Sequence, residues 1–498
     1  MSRPPAAVGP SALLSDMADL LDQARPALGP DAESELDRLR TKLAEPLTLA
    51  VAGHTNAGKS TLVNALIGAR IAPTADTECT RVITRFRFGP DTARLVPLRG
   101  SPQPVWLTAD RRLPPADELP IPQEQLAYIE VSLSYEPLRH LTVIDTPGLS
   151  GDEGLANQTE ELLGLASPDN DGPRPARDAA DVLLFVLGPT LRETERDVLR
   201  RFRRKTRGCY DFPANALAVL SRADQLVGDD GPWAVAQAKA RSHAAELADF
   251  VAGVLPVMGR LAETTETGSL TETHAGWLRS VAEAADLDAI LSYPFAFMEA
   301  DVLDRDAREV LLNRLDLFGI RALTRPENGP MPAATMYDTL RELSGVAALR
   351  ERLDVLFVRP AAVHKAARVL SELEALISAA DPPDSASQPL VDRIEAISLG
   401  DPMHTLRELK ALSAIYTGRD ALGEPARQMA LQLFEHVDPA ERLGIEGRVD
   451  RDALGERAAA AARYWRTVAN GAGLLSTRDI ADTAARSAHL IQTGVERR

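Results

Sequence analysis

The sequence predicts an α/β domain with a mainly parallel sheet, flanked by chain that forms only helices. From residue 47 to about residue 325, short apolar or β-branched segments alternate with helical segments, which is typical of a sheet covered by helices. A glycine-rich loop at residues 53–60 follows the first apolar segment and opens a helix. Beyond Pro332 no segment has a convincing strand pattern. We therefore expect an α/β domain joined to an all-helical bundle.

The individual elements follow from apolar periodicity. Strands are predicted near residues 47–52, 82–88, 128–134, 140–145, 181–187, 215–220 and 254–258. Two helices are predicted before the sheet, from about 11 to 26 and then up to Pro46, with a break at Gly29 and Pro30. After the sheet, helices are predicted near residues 336–358, 361–379, 389–398, 402–417, 424–437, 452–468 and 477–495. The predicted domain limits are 1–46, 47–325 and 336–498.

Composition restricts the class of protein. With 498 residues the chain exceeds one hydrophobic core, so two or three domains are expected. The net charge of −16 argues against a nucleic-acid partner bound through the bulk surface. Cys79 and Cys209 are the only cysteines, which gives neither a disulfide framework nor zinc-ligand spacing and fits a reducing cytosol.

The expected location is the cytoplasm. The N-terminus lacks the basic-then-apolar layout of a signal peptide, and no apolar run reaches 18 residues. Any membrane contact is therefore expected to be peripheral, at the inner face of the cell membrane.

The loop at residues 53–60 has the pattern G-x-x-x-x-G-K-S. Its glycines let backbone N–H groups surround an anion, and the N-terminus of the following helix adds a favourable dipole. Lys59 would reach the β- and γ-phosphates of a nucleotide, and Ser60 would place its hydroxyl on Mg²⁺. The pattern predicts a nucleotide phosphate site.

A second motif, Asp145-Thr146-Pro147-Gly148, ends a β-branched strand. Asp145 would hold Mg²⁺ through a water, and the backbone N–H of Gly148 would bond the γ-phosphate. This loop would therefore sense whether the γ-phosphate is present.

A third motif, Ser221-Arg222-Ala223-Asp224, follows another apolar strand, at a place where GTP-binding proteins usually have Asn/Thr-Lys-x-Asp. Asp224 would accept hydrogen bonds from guanine N1 and N2, which adenine cannot donate. The stem of Arg222 would lie along the base. The turn that ends at Gly259 would also touch the base.

A switch threonine is expected about twenty residues after Lys59, and Thr80 lies there. Its hydroxyl would bind Mg²⁺ and its carbonyl would position the attacking water. Thr74 and Thr77 are alternatives for the same role.

Together these motifs resemble those of the dynamin-like GTPases, and in particular the isoniazid-inducible dynamin-like proteins of actinobacteria. The resemblance rests on residues 53–66, 71–74, 80–81, 145–148 and 221–224, and it continues through residues 317–321 and 344–349. It covers most of the chain. It implies GTP and GDP as ligands, Mg²⁺ as cofactor, and a GTP-dependent homodimer or a paralogous partner GTPase. It also implies that residues 11–45 and the last predicted helix form a neck leading into a helical stalk.

Thr55 and Asn56 depart from dynamins proper, which carry Gln-Ser at this place, where the Ser helps to position a monovalent cation. Asn56 is similar instead to the Asn of potassium-activated bacterial GTPases, where it is a K⁺ ligand. Asn56 is therefore either a K⁺ ligand or an amide that stabilises the loop.

The predicted site residues form three overlapping groups. The catalytic group is Lys59, Thr80, Asn56 and Gly148. The nucleotide-binding group is Gly53, His54, Thr55, Asn56, Ala57, Gly58, Lys59, Ser60, Thr61, Ser221, Arg222, Asp224 and Gly259. The metal-binding group is Ser60, Thr80 and Asp145.

Two functions are compatible with these features. The first is a dynamin-like GTPase that couples GTP hydrolysis to self-association and to membrane binding or remodelling. The second is a regulatory or assembly GTPase of the potassium-dependent bacterial type, acting on RNA or a metal centre without membrane activity. The long helical C-terminal part, the N-terminal helices and the acidic balance favour the first, and no KH-like or zinc-binding appendage supports the second. A structural role without nucleotide turnover is disfavoured because Lys59, Ser60, Thr80 and Asp145 are all present.

Two loops between predicted helices are candidates for membrane contact, residues 400–403 and 470–475. The second follows Tyr464 and Trp465, residue types that suit a membrane interface. The alternative is that Trp465 is buried in the bundle and that Leu474 and Leu475 pack against the next helix.

Overall fold

The computed structural model describes residues 10–72, 82–108, 112–114, 118–149, 159–160, 162–163, 165, 180–226, 231–325, 329, 331–379 and 387–497. Within these ranges nine strands form one sheet: β1 (Leu47–Gly53), β2 (Thr84–Phe88), β3 (Thr92–Pro97), β4 (Gln103–Val105), β5 (Leu126–Leu133), β6 (Leu141–Asp145), β7 (Val182–Leu187), β8 (Ala216–Leu220) and β9 (Val254–Pro256). Their order across the sheet is β4-β3-β5-β2-β6-β1-β7-β8-β9.

Among the described residues up to 325, the α-helices are α1 (Pro10–Leu28), α2 (Glu33–Ala44), α3 (Lys59–Ile67), α4 (Glu193–Lys205), α5 (Gly231–Glu246), α6 (Gly259–Glu266), α7 (Glu272–Ala282), α8 (Leu287–Ile290), α9 (Pro294–Glu299) and α10 (Arg305–Leu323). The later helices are α11 (Ala333–Ser344), α12 (Val346–Leu353), α13 (Ala361–Ala379), α14 (Gln388–Ser398), α15 (His404–Tyr416), α16 (Glu424–Glu435), α17 (Pro439–Arg442), α18 (Arg451–Gly471) and α19 (Leu475–Arg497). The described residues after Pro256 contain no strand. The predicted fold class, an α/β domain with an all-helical C-terminal part, is confirmed.

The centre of the sheet is parallel. Strands β6, β1, β7, β8 and β9 run in one direction, whereas β2 and β5 are parallel to each other and antiparallel to the centre. Because parallel strands present their carboxyl ends at one edge of a sheet, the segments that follow β1, β6 and β8 lie side by side. These are the three segments that carry the predicted motifs.

Both faces of the central strands are buried, which explains why these strands read as continuous apolar runs. One face, with Ala52 and Phe185, packs on α4 and α5. The opposite face, with Val51 and Leu184, shares a core with α3 and with the N- and C-terminal helices. A separate core beside the sheet joins α6, α7, α10 and α11.

The N-terminal helices pack on the C-terminal part of the chain. α1 lies against α13 and α14, and α2 lies against α13, while the last helix, α19, packs on α15, α16 and α18. Arg38 of α2 pairs with Glu372 of α13, and Arg368 of α13 pairs with Asp181 before β7 at 2.6 Å. The predicted division into three domains, with a neck, stays a prediction. In the part of the chain that the structure describes, no helix combines the length and the apolar character needed to cross a bilayer.

Two features differ from the sequence prediction. Strands β3 and β4 were not predicted. They are the two outermost strands at one side of the sheet, contain Pro97 and Pro104, and carry exposed residues, so they lack the continuous apolar pattern of the central strands. The helix predicted over residues 336–358 is divided at Gly345, which has φ 73°. A Cβ atom at Gly345 would lie 2.5 Å from the carbonyl oxygen of Pro256, so only glycine fits this joint.

Candidate functional site

The phosphate loop leaves β1 and turns into α3 through backbone conformations that favour glycine. Gly53 and Gly58 have φ 153° and 89°, and a Cβ atom at Gly53 would lie 2.4 Å from the carbonyl oxygen of Val186. Lys59 is buried, and its ammonium donates a hydrogen bond to the carbonyl of His54 at 2.9 Å. The lysine thus folds back over the loop that starts at Gly53, which is where the phosphates of a nucleotide are predicted to bind.

Ser60 and Asp145 meet below this loop. The hydroxyl of Ser60 donates to Oδ2 of Asp145 at 2.7 Å. Asp145 is fully buried, and its Oδ1 has no hydrogen-bond partner among the described residues. Burial raises the pKa of the Asp145 carboxyl to about 6, although the Ser60 hydrogen bond and the nearby Lys59 ammonium lower it. Ser60 and Lys59 therefore do not fully compensate the negative charge of the buried carboxylate.

This donor set fits Mg²⁺. A hydroxyl and a carboxylate are the oxygen ligands that Mg²⁺ prefers, and it is usually held by one or two such groups together with substrate phosphates. Oδ1 of Asp145 has no partner among the described residues, so it is available to accept a hydrogen bond from a water bound to the cation, or to bind the cation itself.

Gly148 brings the second motif against the phosphate loop. A Cβ atom at Gly148 would lie 2.2 Å from Oγ1 of Thr55 and 2.6 Å from its Cα. The backbone N–H of Leu149 donates to the carbonyl of Gly53 at 3.2 Å, and the hydroxyl of Thr146 donates to Val51 at 2.9 Å. A side chain at position 148 would therefore push the two loops apart.

The third motif also contacts the phosphate loop. Arg222 has φ 55°, and its guanidinium donates to the carbonyl of Asn56. The hydroxyl of Ser221 donates to the carbonyl of Leu187 at 3.0 Å, which ties the ends of β7 and β8 together. The backbone of Asp224 lies in the 3₁₀ turn Ala223–Gln225 directly after Arg222. The contact of Arg222 with the phosphate loop was not predicted, and the position of its stem along the base stays a prediction.

Gly259 begins α6 beside the phosphate-binding helix. α6 packs on α3, and a Cβ atom built on Gly259 would lie 3.6 Å from Cγ2 of Thr61. The structure therefore brings the phosphate loop, Asp145, Gly148, Arg222 and Gly259 together. Thr80 and its alternatives Thr74 and Thr77 lie outside the described residues.

A buried polar cluster near the site was not predicted. Asn64 of α3 is fully buried, and its side chain accepts from the backbone N–H of Ala72 at 2.9 Å and donates to Glu263 of α6 at 2.8 Å. Glu263 also pairs with Arg70 at 2.9 Å. The sequence signal was a polar residue inside the apolar first turns of a helix, and this signal does not identify a partner on α6.

The fold and the site together are those of a P-loop GTPase domain with helical extensions. The family model of the dynamin family matches residues 49–167. Isoniazid-induced protein IniC of Mycobacterium tuberculosis, from strain CDC 1551 / Oshkosh and from strain ATCC 25618 / H37Rv, is 31% identical over 454 residues, which are 88% of this chain and 87% of that protein. The chain therefore belongs to the dynamin family of GTPases, and the resemblance to the isoniazid-inducible dynamin-like proteins is confirmed.

Further matches are more distant. An uncharacterized protein in the xynA 3′ region of Caldicellulosiruptor sp. (strain Rt8B.4) is 27% identical over 164 residues, which are 30% of this chain and 35% of that protein. Two solved chains of an oligomerised bacterial dynamin pair, described in connection with long-range sensing and tethering of membranes, align with all of this chain and 77% of theirs. Their identities are 14% and 15% and their TM-scores 0.30 and 0.31, which are too low to support an argument.

Proposed function

We propose that this chain binds GTP with Mg²⁺ and hydrolyses it to GDP and phosphate. The observation that carries the proposal is the contact between Ser60 and the buried Asp145, directly below the loop that Lys59 covers. A bound Mg²⁺ would neutralise charge that develops on the β- and γ-phosphates. The site residues would hold the cation and the nucleotide in register for an in-line attack by water.

The phosphate side has a role for each predicted residue. The ammonium of Lys59 and the backbone N–H groups of residues 53–60 would stabilise the negative charge of the transition state. The N–H of Gly148 would bond the γ-phosphate and report its loss. Thr80 would bind the cation through its hydroxyl and orient the attacking water through its carbonyl. Asn56 would act either as a K⁺ ligand or as a loop-stabilising amide.

The base side would select guanine. Asp224 would accept the two N–H donors of guanine, and a site built for these donors discriminates strongly against a base that lacks them. The bond from Arg222 to the Asn56 carbonyl supports this arrangement, because it fixes the position of the base motif relative to the phosphate loop.

Membership of the dynamin family supports a wider proposal, in which GTP turnover is coupled to self-association, with a second copy or a paralogous GTPase, and to peripheral membrane contact. The turn between α18 and α19 supports the membrane part, because Leu474 and Leu475 are 52% and 80% exposed. Trp465 is only 1% exposed, so it is buried in the bundle and takes no part in such a surface. In the other candidate loop Met403 is buried, which favours the turn at residues 474–475.

Competition binding tests the nucleotide specificity. Wild-type protein should prefer GTP to ATP, and Asp224→Asn should shift the preference towards xanthosine triphosphate, because the amide presents a donor to the new 2-oxo group. Equal affinities of the wild type for ATP and GTP would contradict the assignment.

A further inference from the structure

Arg350 lies where three helices meet. It belongs to α12, and its guanidinium donates to the carbonyls of Ala65 at 2.8 Å and Leu66 at 3.5 Å, in the last turn of α3. The same guanidinium pairs with Glu266 at the end of α6 and donates to the hydroxyl of Tyr135 at 3.3 Å. The side chains of Arg350 and Glu266 are 27% and 10% exposed. One side chain thus joins α3, α6 and α12.

The contact with α3 has a clear physical basis. The last carbonyls of a helix lack intrahelical partners, and a cation at this end interacts favourably with the helix dipole. α3 begins with Lys59 and Ser60 and has nine residues, so its two ends are separated by roughly 13 Å of rigid helix. Arg350 therefore holds the end of α3 opposite the phosphate loop.

α6 supports α3 along the same side. Gly259, at its start, lies beside Thr61 with room for no more than a Cβ atom between them, and Glu263 accepts a hydrogen bond from Asn64. Glu266, one turn further on, pairs with Arg350, whose guanidinium in turn donates to the carbonyl of Ala65 in α3. The guanidinium of Arg350 therefore links the last turn of α6 to the last turn of α3.

α12 is also the first helix after the joint at Gly345. This joint contacts the turn before Gly259, which is predicted to touch the base. The N–H of Met258 in that turn donates to the carbonyl of Ser344 at 2.9 Å. The joint precedes the π-helical turn Asp354–Val358 and α13. Arg350 therefore connects the phosphate-binding helix to the helical part of the chain.

We propose that Arg350 is a positioning residue for GTP hydrolysis, which anchors the far end of α3 and so sets the position of Lys59 and Ser60. The inference rests on the proposed GTPase function. It names a residue that would not touch the nucleotide and that lies outside all three sequence motifs. Since a displacement of about 1 Å can cost reactive groups much of their effect, loss of the anchor should lower the rate of the chemical step more than nucleotide affinity.

Steady-state GTP hydrolysis by the full chain tests this inference. Arg350→Ala should lower kcat by about tenfold or more and change KM by less than about threefold. Arg350→Lys should restore part of kcat, because one ammonium can reach either the Ala65 carbonyl or Glu266 but lacks the two-sided fork of the guanidinium. Arg341→Ala is the matched control, since Arg341 pairs with the same Glu266 at 3.3 Å, is 55% exposed and lies on α11. Its kcat should stay within about twofold of the wild type.

Equal losses of kcat in Arg350→Ala and Arg341→Ala would overturn the inference, because they would assign the effect to Glu266 alone. An increase of KM at unchanged kcat would overturn it as well. If circular dichroism shows that Arg350→Ala does not fold, Arg350→Gln takes its place, and a folded Arg350→Gln protein with wild-type kcat would contradict the proposal. A wild-type protein that hydrolyses no GTP would contradict the proposed function first, and the inference with it.

Discussion

The buried carboxyl of Asp145 leads to the prediction that Asp145→Asn, a substitution expected to impair GTP hydrolysis, should stabilise the protein when neither Mg²⁺ nor nucleotide is bound. In the folded chain the pKa of this group is raised from 3.8 to about 6, mainly by burial. A carboxyl with a higher pKa in the folded state holds its proton more tightly when folded, so its ionisation costs stability. The cost is complete above about pH 6, decreases as the pH falls from about 6 towards 4, and is absent at lower pH.

The size of the effect follows from this rise in pKa. A rise of about two corresponds to about 3 kcal/mol in the free energy of unfolding. Asp145→Asn removes the charge and keeps the shape, and Ser60 can still donate to the amide oxygen. The variant, free of Mg²⁺ and nucleotide, should therefore be more stable than the wild type at pH 7.5, by at most about 3 kcal/mol. The difference should disappear near pH 4.

Urea unfolding in EDTA at pH 7.5 and pH 4 measures this difference. In a second unfolding experiment at pH 7.5, added Mg²⁺ and a GTP analogue should stabilise the wild type more than Asp145→Asn, because the variant lacks the carboxylate that would hold the cation through a water.

Asp181→Asn is the control with the opposite sign. Asp181 pairs with Arg368 at 2.6 Å and accepts from the backbone N–H of Thr48 at 2.8 Å, so its charge is compensated. Its removal leaves Arg368 with less negative charge around it and should destabilise the protein at pH 7.5. A variant Asp145→Asn that is less stable than the wild type in EDTA, or a difference that does not depend on pH, would refute the reasoning.

Three further predictions concern turnover and membrane contact. Thr80→Ala should leave GDP affinity unchanged in equilibrium binding and slow GTP hydrolysis, since the switch threonine engages the cation and water only when the γ-phosphate is present; the same phenotype in a neighbouring threonine variant would move the assignment. If Asn56 is a K⁺ ligand, phosphate release should be faster in KCl than in NaCl or choline chloride at equal ionic strength, and rates that are independent of the cation would leave Asn56 a loop-stabilising role. Co-sedimentation with liposomes should fall when Leu474 and Leu475 are both changed to Asp, with GTP affinity and helical content unchanged. Absence of liposome binding by the wild type, with or without a GTP analogue, would favour the alternative of an assembly GTPase.

The central strands of the sheet were predictable because their burial leaves a pattern within a few consecutive residues. Strands such as β1 and β7 are buried on both faces and therefore read as uninterrupted apolar segments. The outer strands β3 and β4 carry prolines and exposed residues and lack this signal. The break at Gly345 was missed because a single glycine in a helical pattern does not reveal whether its φ is positive. Here φ is 73°, and the backbone of Pro256 also leaves no room for a side chain.

The candidate site was predictable where a motif fixes the chemistry within a few residues. The motifs identified Lys59, Ser60 and Asp145 in this way, and the roles assigned to these residues stay predictions. The unpartnered oxygen of Asp145 depends on packing from several strands, which no motif encodes. The contacts of Arg222 with Asn56 and of Arg350 with Ala65 join positions that are 166 and 285 residues apart. Such contacts follow from the tertiary fold and not from local sequence.

The most direct test of the central claim, that this chain is a Mg²⁺-dependent GTPase, is phosphate release from GTP by purified wild type and Lys59→Ala. The wild type should release phosphate from GTP in the presence of Mg²⁺, release much less from ATP, and lose activity in EDTA. Lys59→Ala should be inactive, because the loss of a charge-assisted phosphate contact costs roughly 1.5–3 kcal/mol in binding and more in the transition state. Turnover by Lys59→Ala at the wild-type rate would contradict the account, because hydrolysis would then occur at another site.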